Sequence, residues 1–277
     1  MAEPAAESSA YLPGSPIPAS VFRVPLRQTI NARQPVIGVL APQADAALAE
    51  MIGLLGFDFY MLDAEHGVAS PRDAAAVIVA CERRGITALA RIGTKDPKAI
   101  LQYMDVGLGG VMQPSITTAE EVRQLVSAVK YPPVGRRGLG PNRASGFMLS
   151  GQSQAEYVEA ANRETLVIPQ VEHIDCLNHL DEILAVEGVD GFVVGPADLS
   201  MSMGFTDGPN HPEVQQVLDE TYARVAASGK VLGTVASTGA EARALVDRGI
   251  GLVLVTLKAL LQPSARAMLA GFRGGEE

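Results

Sequence analysis

Short apolar segments rich in β-branched residues recur along the chain, and an amphipathic helical pattern follows each of them. The segments predicted as strands are 35–41, 57–65, 87–92, 109–114, 165–172, 190–195, 230–236 and 252–257. Apolar residues three or four positions apart predict the helices 43–54, 71–84, 95–106, 118–129, 176–186, 212–228, 239–248 and 258–272. Strands that alternate with helices in this way form parallel sheets with crossover connections.

The number of these units predicts the fold class. Eight strand–helix units in about 250 residues are typical of an α/β fold, the (β/α)8 TIM barrel. An open doubly wound sheet alternates similarly, but no glycine-rich phosphate loop follows the first strand segment. We therefore predict that residues 21–277 form a single barrel with an extra C-terminal helix. Residues 1–20, rich in proline, alanine and serine, are predicted to be a disordered tail.

One connection, 131–164, is much longer than the others, and loops of this length are usually functional. It carries three arginines, which are either solvated loop charge or part of a lid that contacts substrate: Arg136, Arg137 and Arg143.

Composition narrows the class of partner. The chain has 277 residues, a net charge of −9 and a pI near 5.0, which argues against nucleic acid and anionic membrane as partners. No apolar segment approaches the ~20 residues that a membrane span needs, and the N-terminus lacks the features of a secretory signal. Cys81 and Cys176 show no metal-type spacing and are predicted to be buried thiols. We expect a cytoplasmic protein with a small-molecule substrate.

Two carboxylates stand at the ends of neighbouring predicted strands. Glu172 ends the fifth strand, and Asp198 follows the sixth. A carboxylate at the end of a buried strand is unfavourable unless a cation neutralises it. Two together point to a hard divalent ion such as Mg²⁺ or Mn²⁺, with coordination positions left for water or substrate. The alternative for either residue alone is a capped or paired structural carboxylate.

The second and third strand ends supply further polar groups. Asp63 precedes His66 by three residues, so it is predicted to reach the ring N–H and raise the basicity of the imidazole. His66 taken alone is better explained as an ordinary loop histidine. Arg91 offers a planar fork for a small carboxylate substrate, or it neutralises Glu65 or Glu172 in an ion pair. Glu65 is assigned this supporting role.

A predicted helix start follows the sixth strand. Ala197 and Asp198 come directly after Gly195 and Pro196, where the first backbone N–H groups of the helix have no partner within it. Such groups can bind an anion.

These residues lie in motifs that match one family in order. The chain resembles the class II, metal-dependent pyruvate aldolases, which cleave 4-hydroxy-2-oxoheptanedioate or 2-dehydro-3-deoxyglucarate. The matching motifs are LDAEHG at 62–67, ARIG at 90–93, GGVMQP at 109–114, PPVGRRGLGPNRAS at 132–145, PQVE at 169–172 and GVDGFVVGPADLSMSMG at 188–204.

The resemblance implies roles for the strand-end residues. Glu172 and Asp198 match the ligands of a divalent metal ion, Mg²⁺, Mn²⁺ or Co²⁺. Arg91 matches the arginine that stabilises the pyruvate enolate, and His66 matches the catalytic acid/base, with Asp63 as its partner. The implied activity is reversible aldol cleavage of a 4-hydroxy-2-oxo acid to pyruvate and an aldehyde through a metal-bound enolate.

The resemblance also implies substrate contacts and an assembly. Gln170 matches a position near the pyruvate, and the amides of Ala197 and Asp198 match those that hold its carboxylate. The family is implied to be a homohexamer in which the last helix, 258–272 here, is exchanged between subunits.

Three alternatives stay open. An oxaloacetate decarboxylase would generate the same enolate from a different substrate. A citryl-CoA or malyl-CoA lyase relative is disfavoured because no extra region for coenzyme A is evident. A non-catalytic barrel that binds 2-oxo acids is disfavoured by the Asp63–His66 pair, since binding alone does not need an acid/base.

Overall fold

The eight predicted strands form a closed parallel barrel in a computed structural model, which describes residues 25–274. Each strand pairs with its neighbours in chain order, and the first closes against the last. The strands are β1 Val36–Ala41, β2 Phe59–Asp63, β3 Thr87–Arg91, β4 Gly110–Gln113, β5 Leu166–Val171, β6 Gly191–Val194, β7 Val231–Ala236 and β8 Leu252–Thr256. The predicted (β/α)8 fold with its C-terminal helix is confirmed, and the predicted tail at 1–20 lies outside the described residues.

Helices connect the strands and pack outside them. They are α1 Pro25–Asn31, α2 Ala46–Leu54, α3 Pro71–Arg84, α4 Pro97–Asp105, α5 Ala119–Val129, α6 Gln154–Glu164, α7 Ile174–Asn178, α8 Leu180–Leu184, α9 Pro196–Ser202, α10 Pro212–Ala227, α11 Gly239–Asp247 and α12 Leu257–Phe272. The prediction of one helix over 176–186 is wrong: α7 and α8 meet at His179, whose ψ of 13° interrupts them. In the described part of the chain, no helix has the length and apolar character to cross a membrane.

The interior of the barrel is filled by side chains, so it is not a pore. Large strand residues such as Phe59 and Leu89 are fully buried there. Below them, Leu26 of α1 and the rings of Tyr131 and Tyr157 close the end where the strands begin. The two tyrosine rings meet edge to face with centroids 5.8 Å apart. The barrel is therefore closed at the end where its strands begin, which leaves the end where they finish to bind a ligand.

The long 131–164 connection lies at this closed end. Arg137 is 4% exposed and pairs at 3.0 Å with Asp105 at the end of α4, while Arg143 pairs with Glu82 near the end of α3. Helices here run opposite to the strands, so their C-terminal ends lie where strands begin. The alternative that this connection forms a lid over the carboxyl ends of the strands in the same chain is therefore wrong. For Arg137 the solvated alternative is wrong too.

Candidate active site

Asp63 and Arg91 form a buried pair where β2 and β3 end. They are register partners, 4% and 7% exposed. Arg91 donates from Nε to Asp63 Oδ1 at 3.0 Å and from Nη2 to Oδ2 at 2.6 Å, a bidentate geometry that fixes the guanidinium plane. Burial raises the pKa of Asp63, but the hydrogen bond and charge of Arg91, with two main-chain N–H donors, hold it below the ordinary value. The pair is ionised.

The predicted contact between Asp63 and the His66 ring is wrong. Asp63 Oδ1 instead accepts the main-chain N–H groups of Glu65 at 3.1 Å and His66 at 3.2 Å, and Arg91 occupies both of its oxygens. The ring of His66 is 65% exposed, with Nε2 3.8 Å from Glu65 Oε2. The three-residue spacing lets Asp63 accept main-chain N–H groups of the turn. With Arg91, these donors occupy its oxygens, so none is left for the His66 ring. Asp63 therefore shapes the loop that carries His66.

Glu65 completes the surroundings of Arg91. Its Oε2 lies 3.3 Å from Arg91 Nε as an ion pair, yet it is buried without a hydrogen bond. The supporting contact expected of Glu65 is thus present. Burial lowers the pKa of Arg91, but the hydrogen bond to Asp63 and the charges of Asp63, Glu65 and Glu172 outweigh this and raise it. The guanidinium is a permanent cation among carboxylates.

Glu172 extends from the end of β5 into the same region. It is 5% exposed, and its Oε1 accepts the main-chain N–H of Ser115 at 2.7 Å, whereas its buried Oε2 has no hydrogen-bond partner among residues 25–274. Burial raises the pKa of Glu172 to about 7, against the Ser115 hydrogen bond and the charge of Arg91; the charges of Asp198 and Glu65 add to the rise. A buried carboxylate so poorly neutralised calls for a cation.

Gln170 and Glu172 both lie against Gly195, the residue after β6. A Cβ placed on Gly195 would stand 2.7 Å from Gln170 Nε2 and 2.9 Å from Glu172 Oε2, so these two side-chain ends occupy the space that a Cβ would fill. Gln170 is 4% exposed, and its Oε1 has no hydrogen-bond partner. Side chains alternate along a strand, so Gln170 and Glu172 face inward as Ile168 does.

Asp198 and Ala197 begin the seven-residue helix α9. Both are exposed, Pro196 occupies the first helical position, and no side chain caps the helix. The charge of Asp198 acts on Glu172 strongly enough to raise its pKa. The two predicted ligand residues thus lie on one side of the barrel mouth, one buried and one facing solvent.

The residues present fit a hard divalent cation. Among the described residues at the barrel mouth, three buried oxygens lack a hydrogen-bond donor: Glu65 Oε2, Gln170 Oε1 and Glu172 Oε2. Carboxylate and amide oxygens are the donors that Mg²⁺ and Mn²⁺ prefer. No group of three or more His, Cys, Asp or Glu between residues 25 and 274 is arranged to hold a metal. A cation held by two carboxylates would take its remaining ligands from water or substrate, as a catalytic ion does.

Two residues of this region were not predicted as site residues. Gln113 ends β4 and donates from Nε2 to the carbonyls of Ile92 at 2.7 Å and Thr94 at 3.1 Å, so it ties the end of β4 to the loop that follows β3. Its strand-end position was a usable signal. Ser115 has φ of +54°, and its role depends on this backbone conformation, which the residue type does not reveal.

Comparisons with known proteins show the family to which this chain belongs. The family model described as HpcH/HpaI aldolase/citrate lyase matches residues 37–258. The chain belongs to this family. Its relatives include the hydroxypyruvate/pyruvate aldolase of Cupriavidus necator, 34% identical over 90% of this chain and 92% of that protein. A 2-keto-3-deoxy-L-rhamnonate aldolase of Escherichia coli is 32% identical over 91% of this chain and 94% of that protein.

A solved structure of the family has the same fold. The HpcH/HpaI aldolase from Desulfitobacterium hafniense DCB-2 superposes with a TM-score of 0.81 at 28% identity, covering 91% of this chain and 96% of that one. The aldolase/citrate lyase barrel therefore extends over nearly the whole described chain.

Proposed function

We propose that this protein is a divalent-metal-dependent aldolase, a carbon–carbon lyase that reversibly cleaves a 4-hydroxy-2-oxo acid to pyruvate and an aldehyde. The observation that carries the proposal is the buried, partnerless Oε2 of Glu172 in the same mouth as the Arg91–Asp63 pair. The aldolase names of the relatives support the reaction class. Both kinds of relative act on 2-oxo acids by name, which favours the same substrate class here.

In this proposal Glu172 and Asp198 hold the cation, which is Mg²⁺, Mn²⁺ or Co²⁺. When bound, such an ion supplies Lewis-acid stabilisation of negative charge on a 2-oxo acid, an effect of several kcal/mol in enzymes of this type. Gln170 and the N–H groups at Ala197 and Asp198 are proposed to bind the carboxylate of the pyruvate half. The absence of a side-chain cap on α9 supports this, because its first N–H groups are not occupied by a capping residue.

Arg91 is proposed to stabilise the oxygen on which charge develops as the bond breaks. Its hydrogen bonds to Asp63 use Nε and Nη2, which leaves Nη1 for a substrate oxygen. Because Asp63 fixes the guanidinium plane in advance, little reorganisation is needed during the reaction. Prearranged donors of this kind contribute about 3–4 kcal/mol to transition-state stabilisation.

His66 is proposed as the acid/base. Its exposed imidazole stands at the barrel mouth, where the aldehyde half of the substrate would lie. In cleavage, the ring takes the proton of the C4 hydroxyl, the C3–C4 electron pair moves to the pyruvate half, and the aldehyde forms. Protonation at C3 then yields pyruvate. Condensation reverses these steps.

The proposal is tested by removing metal and measuring pyruvate release from 4-hydroxy-2-oxo acids. Chelation should abolish retro-aldol turnover, and Mg²⁺, Mn²⁺ or Co²⁺ should restore it. Glu172→Gln should lose both Mn²⁺ binding and turnover, whereas the control Glu182→Gln, on the exposed face of α8, should keep both. Full activity in chelator would disprove the metal role. Faster pyruvate release from oxaloacetate than from any hydroxy-oxo acid would favour the decarboxylase alternative.

We also propose a homo-oligomer, a hexamer in which α12 packs on a neighbouring subunit. The support is the surface of this helix: of its 16 residues only Leu257 is buried, while Leu261 is 59%, Met268 75% and Phe272 88% exposed. A helix that leaves large apolar side chains in water within one chain is well suited to bury them against another.

A further inference from the structure

One lysine outside the proposed site contacts the loop that holds Glu172. Lys95 lies in the loop between β3 and α4, and its Nζ donates to the carbonyl of Ser115 at 2.8 Å. The same Nζ pairs with Glu121 Oε1 at 2.5 Å. Lys95 thus holds the peptide group that follows the Cα of Ser115, while the N–H of the peptide group that precedes this Cα donates to Glu172 Oε1.

The backbone at Ser115 needs such support. Its φ of +54° lies in the left-handed region, which is unfavourable for a residue with a Cβ and persists only where the surroundings impose it. In this conformation the Ser115 N–H reaches Glu172. A change of φ toward the ordinary region would redirect that N–H and leave Glu172 Oε1 without its donor.

Glu121 links this loop to α5. Its Oε2 accepts the main-chain N–H of Thr117 at 2.8 Å and that of Thr118 at 3.3 Å, and its Oε1 pairs with Lys95. Lys95 and Glu121 therefore enclose the 114–118 loop between β4 and α5. Their side chains are 38% and 25% exposed, so solvent screens the pair. The Lys95–Glu121 pair therefore matters because it positions Ser115, and its own ion-pair energy is small.

From these contacts we propose that Lys95, supported by Glu121, is a positioning residue for the cation site. By holding the Ser115 carbonyl it keeps the backbone angles of Ser115 at which the N–H occupies one oxygen of Glu172, so that the other, Oε2, is presented to the metal. This inference rests on the proposed function, because it assigns Lys95 a role toward the cation that Glu172 would bind. Residues that orient a metal-ligating group typically change metal affinity about 10–100-fold when replaced.

The test measures Mn²⁺ binding to metal-free protein by the loss of the free-ion EPR signal. Lys95→Met keeps the length of the side chain but has no donor, and it should raise the Mn²⁺ dissociation constant about tenfold. Lys95→Arg keeps the charge and the donors and should stay within about twofold of wild type. The matched control is Lys98→Met, which removes an exposed lysine three residues away that is not the donor to the Ser115 carbonyl.

A crystal structure of Lys95→Met supplies the second readout. It should show Ser115 with a negative φ and Glu172 Oε1 without its N–H donor. Unchanged Mn²⁺ affinity in a folded Lys95→Met protein, or an unmoved Ser115 peptide, overturns the inference. If Lys95→Met does not fold, Lys95→Gln, whose shorter side chain cannot make both contacts, takes its place with the same expected results.

The outcome separates this inference from the proposed function. If wild type does not bind Mn²⁺, or if Glu172→Gln binds it as well as wild type does, the proposed function fails. The crystal structure then decides alone whether Lys95 holds Ser115. If wild type binds Mn²⁺ and Glu172→Gln does not, the function stands, and the Lys95 variants test the positioning role by themselves.

Discussion

At the scale of single residues, the chemistry of the site depends on which oxygen each carboxylate leaves free. Asp63 uses both oxygens on Arg91 and the main chain, so it is saturated. Glu172 uses one and keeps Oε2 unpaired. Two buried carboxylates only a few strands apart therefore have different uses: one fixes an arginine, and the other is available to a cation.

Asp63→Asn should destabilise the protein. Breaking a buried ion pair by removing one charge typically costs about 3–5 kcal/mol, because the other charge stays buried. Urea denaturation of the metal-free protein measures this. The control His66→Ala, at an exposed ring, should change the unfolding free energy by less than about 0.5 kcal/mol yet lower kcat. If Asp63→Asn were as stable as wild type, the Asp63–Arg91 ion pair would not be what stabilises this part of the fold.

Gly195→Ala should weaken metal binding while the fold persists. The new methyl group would come within 2.7 Å of Gln170 and 2.9 Å of Glu172, whose side-chain ends can move away. The φ of −99° at Gly195 suits alanine, so the backbone is not strained. We expect the Mn²⁺ dissociation constant to rise about tenfold by titration. Gly239→Ala, where a Cβ meets nothing within 4 Å, is the control and should bind as wild type does; equal affinities in both variants would contradict the prediction.

The residue-level site was predictable only in part. Strand ends gave Asp63, Arg91, Gln170 and Glu172, because side chains alternate along a strand and the ends of parallel strands meet at one edge. Side-chain pairing was not predictable: the Asp63–His66 spacing allowed a ring contact, but Arg91 competes for the same oxygens. The role of Ser115 depends on its positive φ, which cannot be predicted from the residue type.

At the scale of elements, the strands follow from their β-branched runs, and the helices from their apolar spacing and caps. Helix α5 begins where Thr118 and Glu121 cap each other's main-chain N–H groups. Helix α1 was missed because it is only seven residues long and adjoins a tail without apolar periodicity. The position of the 131–164 connection could have been predicted, because a segment between a helix and the next strand of such a barrel lies where the strands begin.

Lys130 anchors α6 beneath the barrel and makes stability depend on pH. Its Nζ donates to the carbonyls of Asn162 at 2.7 Å and Thr165 at 2.6 Å. Burial lowers the pKa of Lys130 to about 8, Arg27 adds to this, and Asp190 opposes it. Between pH 8 and about 10.4 the unfolded chain keeps a proton that the folded protein has released. The unfolding free energy contributed by Lys130 therefore rises with pH across this window.

Comparison with Lys130→Met isolates this effect, since the tyrosines of both proteins titrate alike. The difference in unfolding free energy, wild type minus variant, should increase from pH 8 to pH 10 in urea denaturation. A difference that stays constant over this range would show that Lys130 keeps its ordinary pKa.

At the scale of the whole molecule, α12 should control assembly. Phe272→Asp places a charge where an 88% exposed aromatic ring is expected to be buried by a neighbouring subunit, so the particle mass from light scattering should fall. Leu149→Asp, at a 72% exposed residue outside α12, is the control and should leave the mass unchanged. A wild-type monomer, or an unaltered mass for Phe272→Asp, would contradict the exchanged-helix assembly.

Tyr131, Tyr157 and α1 close the barrel at the end where the strands begin, so ligands enter and leave only at the opposite end. Under the proposed function, whatever is bound nearest the closed end can depart only after the fragment above it has gone. Pyruvate, gripped by Gln170 and the start of α9, would then be the last to leave in cleavage and the first to enter in synthesis. The closed end of the barrel, far from the reacting atoms, would thereby determine the order in which substrates bind and products leave.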